Sequence, residues 1–144
     1  MRRILLVIGV GILCLCHNLF AQANHKHDGK YQIKNGNHYN STVLIRHIEG
    51  DIYEFVIEAQ KGPPSYNSGS LSGKITITSG SGIFYENQYE PCSLKFSFGS
   101  RMLIIDAIED ESGCGFGYGV YVSGNYKKTK NKLSNADLRY FSND

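Results

Sequence analysis

With 15 Lys and Arg against 13 Asp and Glu in 144 residues, the chain can form one compact domain but has no basic excess to neutralise a phosphate backbone. A nucleic-acid partner is therefore excluded at this level, and any electrostatic role must be local.

In chain order, residues 1–23, MRRILLVIGVGILCLCHNLFAQA, have the form of a secretory signal. Arg2 and Arg3 precede an apolar run from Ile4 to Cys16, and Ala21-Gln22-Ala23 supplies small residues for cleavage, after Ala23 or after Ala21. The run is shorter than the about 20 residues a membrane span needs. A lipoprotein signal needs a small residue before its cysteine, whereas Leu13 precedes Cys14 and Leu15 precedes Cys16. The mature chain is thus expected to be periplasmic or secreted, with no membrane span. Losing Arg2 and Arg3 leaves basic and acidic residues equal in number, and only Cys92 and Cys114 remain as cysteines. Two cysteines in an exported domain most simply form one disulfide. A reactive thiol pair is the alternative, without the C-x-x-C spacing that would favour it. Closing a loop of about 20 residues would stabilise by roughly 3 kcal/mol.

The stretch NHKHDG reads as a disordered lead-in. After it come short segments rich in Val, Ile, Tyr, Phe and Thr, separated by Gly, Asn, Pro and Ser. The expected strands are Lys30–Lys34, Thr42–Ile48, Ile52–Gln60, Leu71–Thr78, Gly82–Asn87, Cys92–Phe98, Met102–Ile108 and Gly119–Lys127. Period-two alternation supports them: Cys92, Leu94, Phe96 and Phe98 share one face, and Tyr53, Phe55 and Ile57 another. Glu49-Gly50-Asp51 and Phe98-Gly99-Ser100-Arg101 read as tight turns, while Pro63 and Pro64 break pairing between residues 61 and 69. The expected fold is all-β: a single eight-stranded antiparallel barrel over residues 24–128. Residues 129–144 form a tail that is either disordered or carries a short helix over Asn135–Phe141, capped by Ser134 with Leu133, Leu138 and Phe141 on one side. The GCGFGYG run at 113–119, with the segment after it, places Cys114, Phe116, Tyr118, Val120, Val122 and Tyr126 on one parity and Gly113, Gly115, Gly117 and Gly119 on the other. It reads as the disulfide-anchored closing strand, its bare face allowing another segment to lie close.

Short catalytic signatures are absent. GSLSG at 69–73 sets its second serine one place too late for a nucleophile elbow, and neither H-E-x-x-H nor a phosphate loop occurs. No enzyme activity and no cofactor are expected. His25-Lys26-His27-Asp28 offers two imidazoles and a carboxylate, but as a solvated tail it holds no metal. Asp106, Glu109, Asp110 and Glu111 lack the spacing of a calcium loop and read as a charged turn. Lys127, Lys128, Lys130 and Lys132 form one basic run, either a solvated strand exit or a contact for an acidic partner. Of the ten tyrosines, Tyr53, Tyr85 and Tyr126 fall on inward parity, and Tyr66, Tyr89, Tyr118 and Tyr121 lie in loops or on faces of uncertain sense.

The cysteine, the glycine-broken segment and the final Val-x-Val-x-Gly-x-Tyr-Lys-Lys, together with GKYQI, LSGKITI and CSLKFSF upstream, resemble small secreted bacterial β-barrel domains described as lysozyme-inhibitor-like. The resemblance covers most of residues 28–128. It implies an eight-stranded barrel, a disulfide from the sixth strand to the region before the last, and a non-enzymatic binding role. SGSGIFY at 79–85 is similar to the S-G-x-x-Y loop of inhibitors of c-type lysozyme, which would place Ser81 in the enzyme cleft with Tyr85 behind it. Those inhibitors also carry Y-x-x-x-T-K-G. Here YKKTKN has one residue fewer before Thr-Lys and Asn131 in place of glycine, which implies Lys130, with Lys127 beside it, as the cationic contact. The implied partner is a protein, a cell-wall hydrolase or, as an alternative, a toxin met by an immunity protein. A lipocalin-like carrier of a small apolar ligand is the third possibility, and aromatic filling of an eight-stranded lumen argues against it.

Overall fold

The computed structural model describes residues 25–36, 39–88 and 90–142, so the expected signal at 1–23 and Tyr89 lie outside the described residues. The alternating segments form β1 (Gly29–Asn35), β2 (Tyr39–Glu49), β3 (Ile52–Lys61), β4 (Ser68–Thr76), β5 (Ser81–Glu86), β6 (Cys92–Phe98), β7 (Met102–Ala107) and β8 (Gly124–Lys130). They make one antiparallel sheet in the order β4-β3-β2-β1-β8-β7-β6-β5. The sheet curls until its edge strands meet. At that seam Gly82 lies against the Thr76 carbonyl, where a Cβ would stand 2.8 Å from the oxygen. The result is the expected eight-stranded, nearly closed barrel with one disulfide and a short C-terminal helix.

Alternation decides what fills it. Tyr53, Phe55, Ile57 and Ala59 of β3 point inward, as do Leu94 and Phe96 of β6. Tyr126, Phe55, Phe96, Leu94, Leu103 and Ile105 are wholly buried, and Phe55 meets Phe84 edge-on at 5.0 Å between ring centres. An eight-stranded lumen is only wide enough for such side chains. The SGSG stretch forms a two-residue hairpin between Thr78 and Ser81, with φ of 53° at Ser79 and 78° at Gly80. Positive φ at both central residues matches the twist of the flanking strands.

Five local expectations are corrected. The glycine run is not a strand: a 3₁₀ turn at Glu111–Cys114 leads into a loop, and β8 begins only at Gly124. Gly115 and Gly119 turn the chain at φ of 76° and 73°, so the backbone is not extended there. β8 also lies between β1 and β7, which leaves closure to β4 and β5. In the tail, α1 (Asn135–Leu138) continues into a single 3₁₀ turn, and a reciprocal Ser134–Asp137 capping box opens it. Phe141 and Leu133 cover Leu44 and Val56 on the barrel's outer wall, whereas Leu138 stays exposed. Residues 25–28 are docked rather than disordered, and Tyr85 faces outward rather than inward, at 62% exposure.

Candidate interaction surface

The strand directions put the links β3–β4, β5–β6 and β7–β8 at one end of the barrel. The β7–β8 link is held there from several sides. The half-loop before it is anchored by the Cys92–Cys114 disulfide. Gly113 sits against Pro91 so closely that a Cβ would lie 2.1 Å from its carbonyl oxygen. The buried Glu111 carboxylate accepts hydrogen bonds from the Val122 N–H at 2.5 Å and the Ser123 N–H at 3.0 Å. Ser123 Oγ in turn accepts from the Ala107 N–H at 2.9 Å. Tyr126 donates its hydroxyl to the Val122 carbonyl at 2.7 Å and lies 3.0 Å from Ser41 Oγ, while the Tyr39 hydroxyl reaches the Tyr121 carbonyl. Burial raises the pKa of both the Tyr39 and Tyr126 phenols, so they act here as neutral donors.

The β3–β4 link joins the same assembly. Asn67 Nδ2 donates to the Tyr118 carbonyl at 2.7 Å, and the Lys61 N–H closes on the Asn67 carbonyl at 2.8 Å. Phe116 packs over Gly69, where a Cβ would fall 2.7 Å from its ring, and Gly117 lies against the Ser68 carbonyl. The bare glycine positions thus do permit close approach, though to β4 and Pro91 and from a loop. With their backbones tied, Tyr66, Tyr118 and Tyr121 project into solvent at 61%, 92% and 64% exposure. Tyrosines on fixed loops offer large amphipathic contact area and lose little freedom on binding.

The residues implied by the lysozyme-inhibitor resemblance are spread over the barrel. Ser81 opens β5 at the opposite end, half-buried, and donates its hydroxyl to the Phe96 carbonyl at 3.2 Å. Tyr85 stands on the outer face of β5, as does exposed Ile83. Lys127 is exposed on β8 between Gln32 and Met102. Lys130 ends β8, 3.7 Å from Asp137, whose carboxylate also takes Lys30 at 3.0 Å. Hydrogen bonds from the Ser134 hydroxyl and N–H, with Lys30 beside them, hold the Asp137 carboxyl well below the usual carboxylate range. In the cross-strand row, Ser81 stands three strand spacings from Asn125 of β8, about 14 Å. The basic run is split between the two faces and the strand end. Lys127 and Lys130 face solvent, while Lys128 turns inward and donates to the Lys26 carbonyl at 3.2 Å, 5.3 Å from the Tyr31 ring centre.

That inward lysine belongs to the other end, where residues 25–28 form a docked strap. His25 stacks on His47 at 4.0 Å, and His27 lies buried against Phe98 and Tyr53. Tyr31 donates to the His27 carbonyl at 2.8 Å, and Asp28 Oδ1 accepts from the His47 N–H at 2.7 Å. Burial, with Lys26 and Lys128 nearby, lowers the His27 pKa. Among the described residues no group of His, Cys, Asp or Glu is placed to hold a metal ion. The strap and the Glu111 tie had no legible signal in sequence, because each depends on partners far along the chain.

No protein-family model, curated protein or solved structure matches this chain.

Proposed function

We propose that the chain is an exported, non-catalytic binding protein that blocks a cell-wall-active enzyme of the lysozyme type, using the tyrosine-bearing end of the barrel as its contact. The observation that carries this reading is the exposure of Tyr66, Tyr118 and Tyr121 on backbones fastened by Glu111, Asn67 and the disulfide. Preorganised aromatic side chains lower the entropy lost on association and are the residue type that dominates interface energetics. The filled lumen supports a site on the outside rather than within.

The test is inhibition and direct binding of c-type, g-type and i-type lysozymes by wild type and by two sets of variants. Tyr118→Ala and Tyr121→Ala should each weaken inhibition by about tenfold, the loss typical of an anchor residue. Ser81→Ala and Lys130→Ala should change it by less than about threefold. If the second pair abolishes inhibition and the first does not, the hairpin and lysine contacts of the resembling inhibitors replace the tyrosine end. A wild-type protein that neither binds nor inhibits any of these enzymes ends the proposal.

A further inference from the structure

The outer wall beside the tyrosine end carries a polar trough. Register aligns Asn40, Gln60 and Ser68 in one cross-strand row over β2, β3 and β4, and Thr42, Glu58 and Ser70 in the next. Their neighbours of opposite parity, Val43, Ile57, Ala59 and Leu71, face the core, so these polar side chains stand on the outer face. Further along the same face the wall turns apolar, at Leu44 and Val56, and there the tail covers it. The polar rows stay open. A depression of about 330 Å³ lined by Asn40, Gln60, Gly62, Pro63 and Tyr66 runs through Asn40 and Gln60 into a second of about 370 Å³. Tyr66 stands at its head in a left-handed conformation, φ 51°, which a bulky residue adopts only where its surroundings hold it. Its N–H closes the loop on the Gly62 carbonyl at 3.2 Å.

We infer that this trough is a glycan-binding site for an oligosaccharide of neutral pyranoses. One sugar ring stacks its C–H face on Tyr66, and the next lays its hydroxyls on Asn40, Gln60 and Ser68. Exposed amides both donate and accept, as sugar hydroxyls require. Three strands and two rows give a floor of about 10 Å by 7 Å, the footprint of roughly one or two pyranose rings. Charge narrows the ligand. Glu58, whose Oε1 accepts the Ser70 hydroxyl at 2.6 Å, is the one charged group in these rows on β2, β3 and β4. Lys34, which extends the first row onto β1 beside Asn40, offsets it, so the lining has no charge excess to select an ionic ligand. The rows offer no apolar anchor for a peptide. This inference does not depend on the protein-partner reading, since Tyr66 is the one residue common to both surfaces.

The experiment is a glycan array with the purified protein, followed by titration of ¹⁵N-labelled protein with cellohexaose, maltohexaose and chitohexaose as probes. Binding should shift the amides of Asn40, Thr42, Gln60 and Ser68, and leave those around Tyr118 unmoved. Tyr66→Asn removes the ring yet suits positive φ, and it should weaken binding by about tenfold. Gln60→Ala, at an exposed strand position, should weaken it by about fivefold, while Tyr118→Ala should leave it unchanged. No binding to any neutral glycan on the array overturns the inference. So does glycan binding that survives both trough variants, or binding confined to acidic glycans.

Discussion

Replacing Glu111 with Ala removes the acceptor that fastens the tyrosine-bearing loop to the barrel. Its carboxylate takes two backbone N–H groups, from Val122 and Ser123. A hydrogen bond to a charged group contributes about 1.5–3 kcal/mol net, and a buried donor left without a partner loses its full solvation. Val122 is wholly buried, so its bond counts in full, whereas Ser123 is exposed and water replaces part of the second. The expected loss is about 2–4 kcal/mol, a large share of the 5–15 kcal/mol typical of a domain. At about 4 °C per kcal/mol, Tm falls by roughly 8–16 °C. Glu111→Gln keeps one acceptor oxygen but turns amide donors toward the other N–H, and should lose about half as much. Urea unfolding followed by far-UV circular dichroism and tyrosine fluorescence measures this, and no tryptophan obscures the signal. Amide exchange at Val122 and Ser123 should accelerate in the same variants. A Glu111→Ala protein within about 0.5 kcal/mol of wild type, with those amides still protected, would refute the claim that this carboxylate holds the loop.

The disulfide gives a second measurement on the same loop. Cys92 and Cys114 are 22 residues apart, so reduction should lower stability by about 3 kcal/mol through loop closure; an unchanged urea midpoint for the double Cys→Ser protein would contradict this. A third concerns the strap at the other end. The His27 pKa is depressed below 6.5 in the docked state because burial, Lys26 and Lys128 disfavour the imidazolium. Docking therefore excludes the proton, and its contribution is complete above pH 6.5 and declines as pH falls below that value. Hydrogen exchange at Lys26, His27 and Asp28, corrected for intrinsic rates, should show protection at pH 8 that weakens by pH 5. Protection independent of pH across that range would rule out His27 as the titrating group.

What the amino-acid sequence determined by itself was whatever depends on nearest neighbours. Alternation in DIYEFVIE and CSLKFSF set strand identity and inward parity, because side chains on a strand repeat every two residues regardless of partner. The Ser-Gly pair at 79–80 set a hairpin turn, and Ser134 with Asp137 set a helix start, since caps and turns close within four residues. The two cysteines of the expected mature chain left a single pairing to make.

Tertiary structure decided the rest. GCGFGYG has the parity of a strand, yet it became a turn and loop, because Gly113 had to meet Pro91 and Gly117 had to meet Ser68 across the barrel mouth. Leu44 and Val56 face outward by parity and are buried only because Leu133 and Phe141 fold back over them. His27 became a buried residue because Phe98 and Tyr53, from strands far along the chain, converge on it. Tyr66, Tyr118 and Tyr121 form one surface, and Asn40, Gln60 and Ser68 one row, only once β2, β3 and β4 align and the loops are tied. Each of these turns on which distant segments meet, a matter of register and closure that no local pattern encodes.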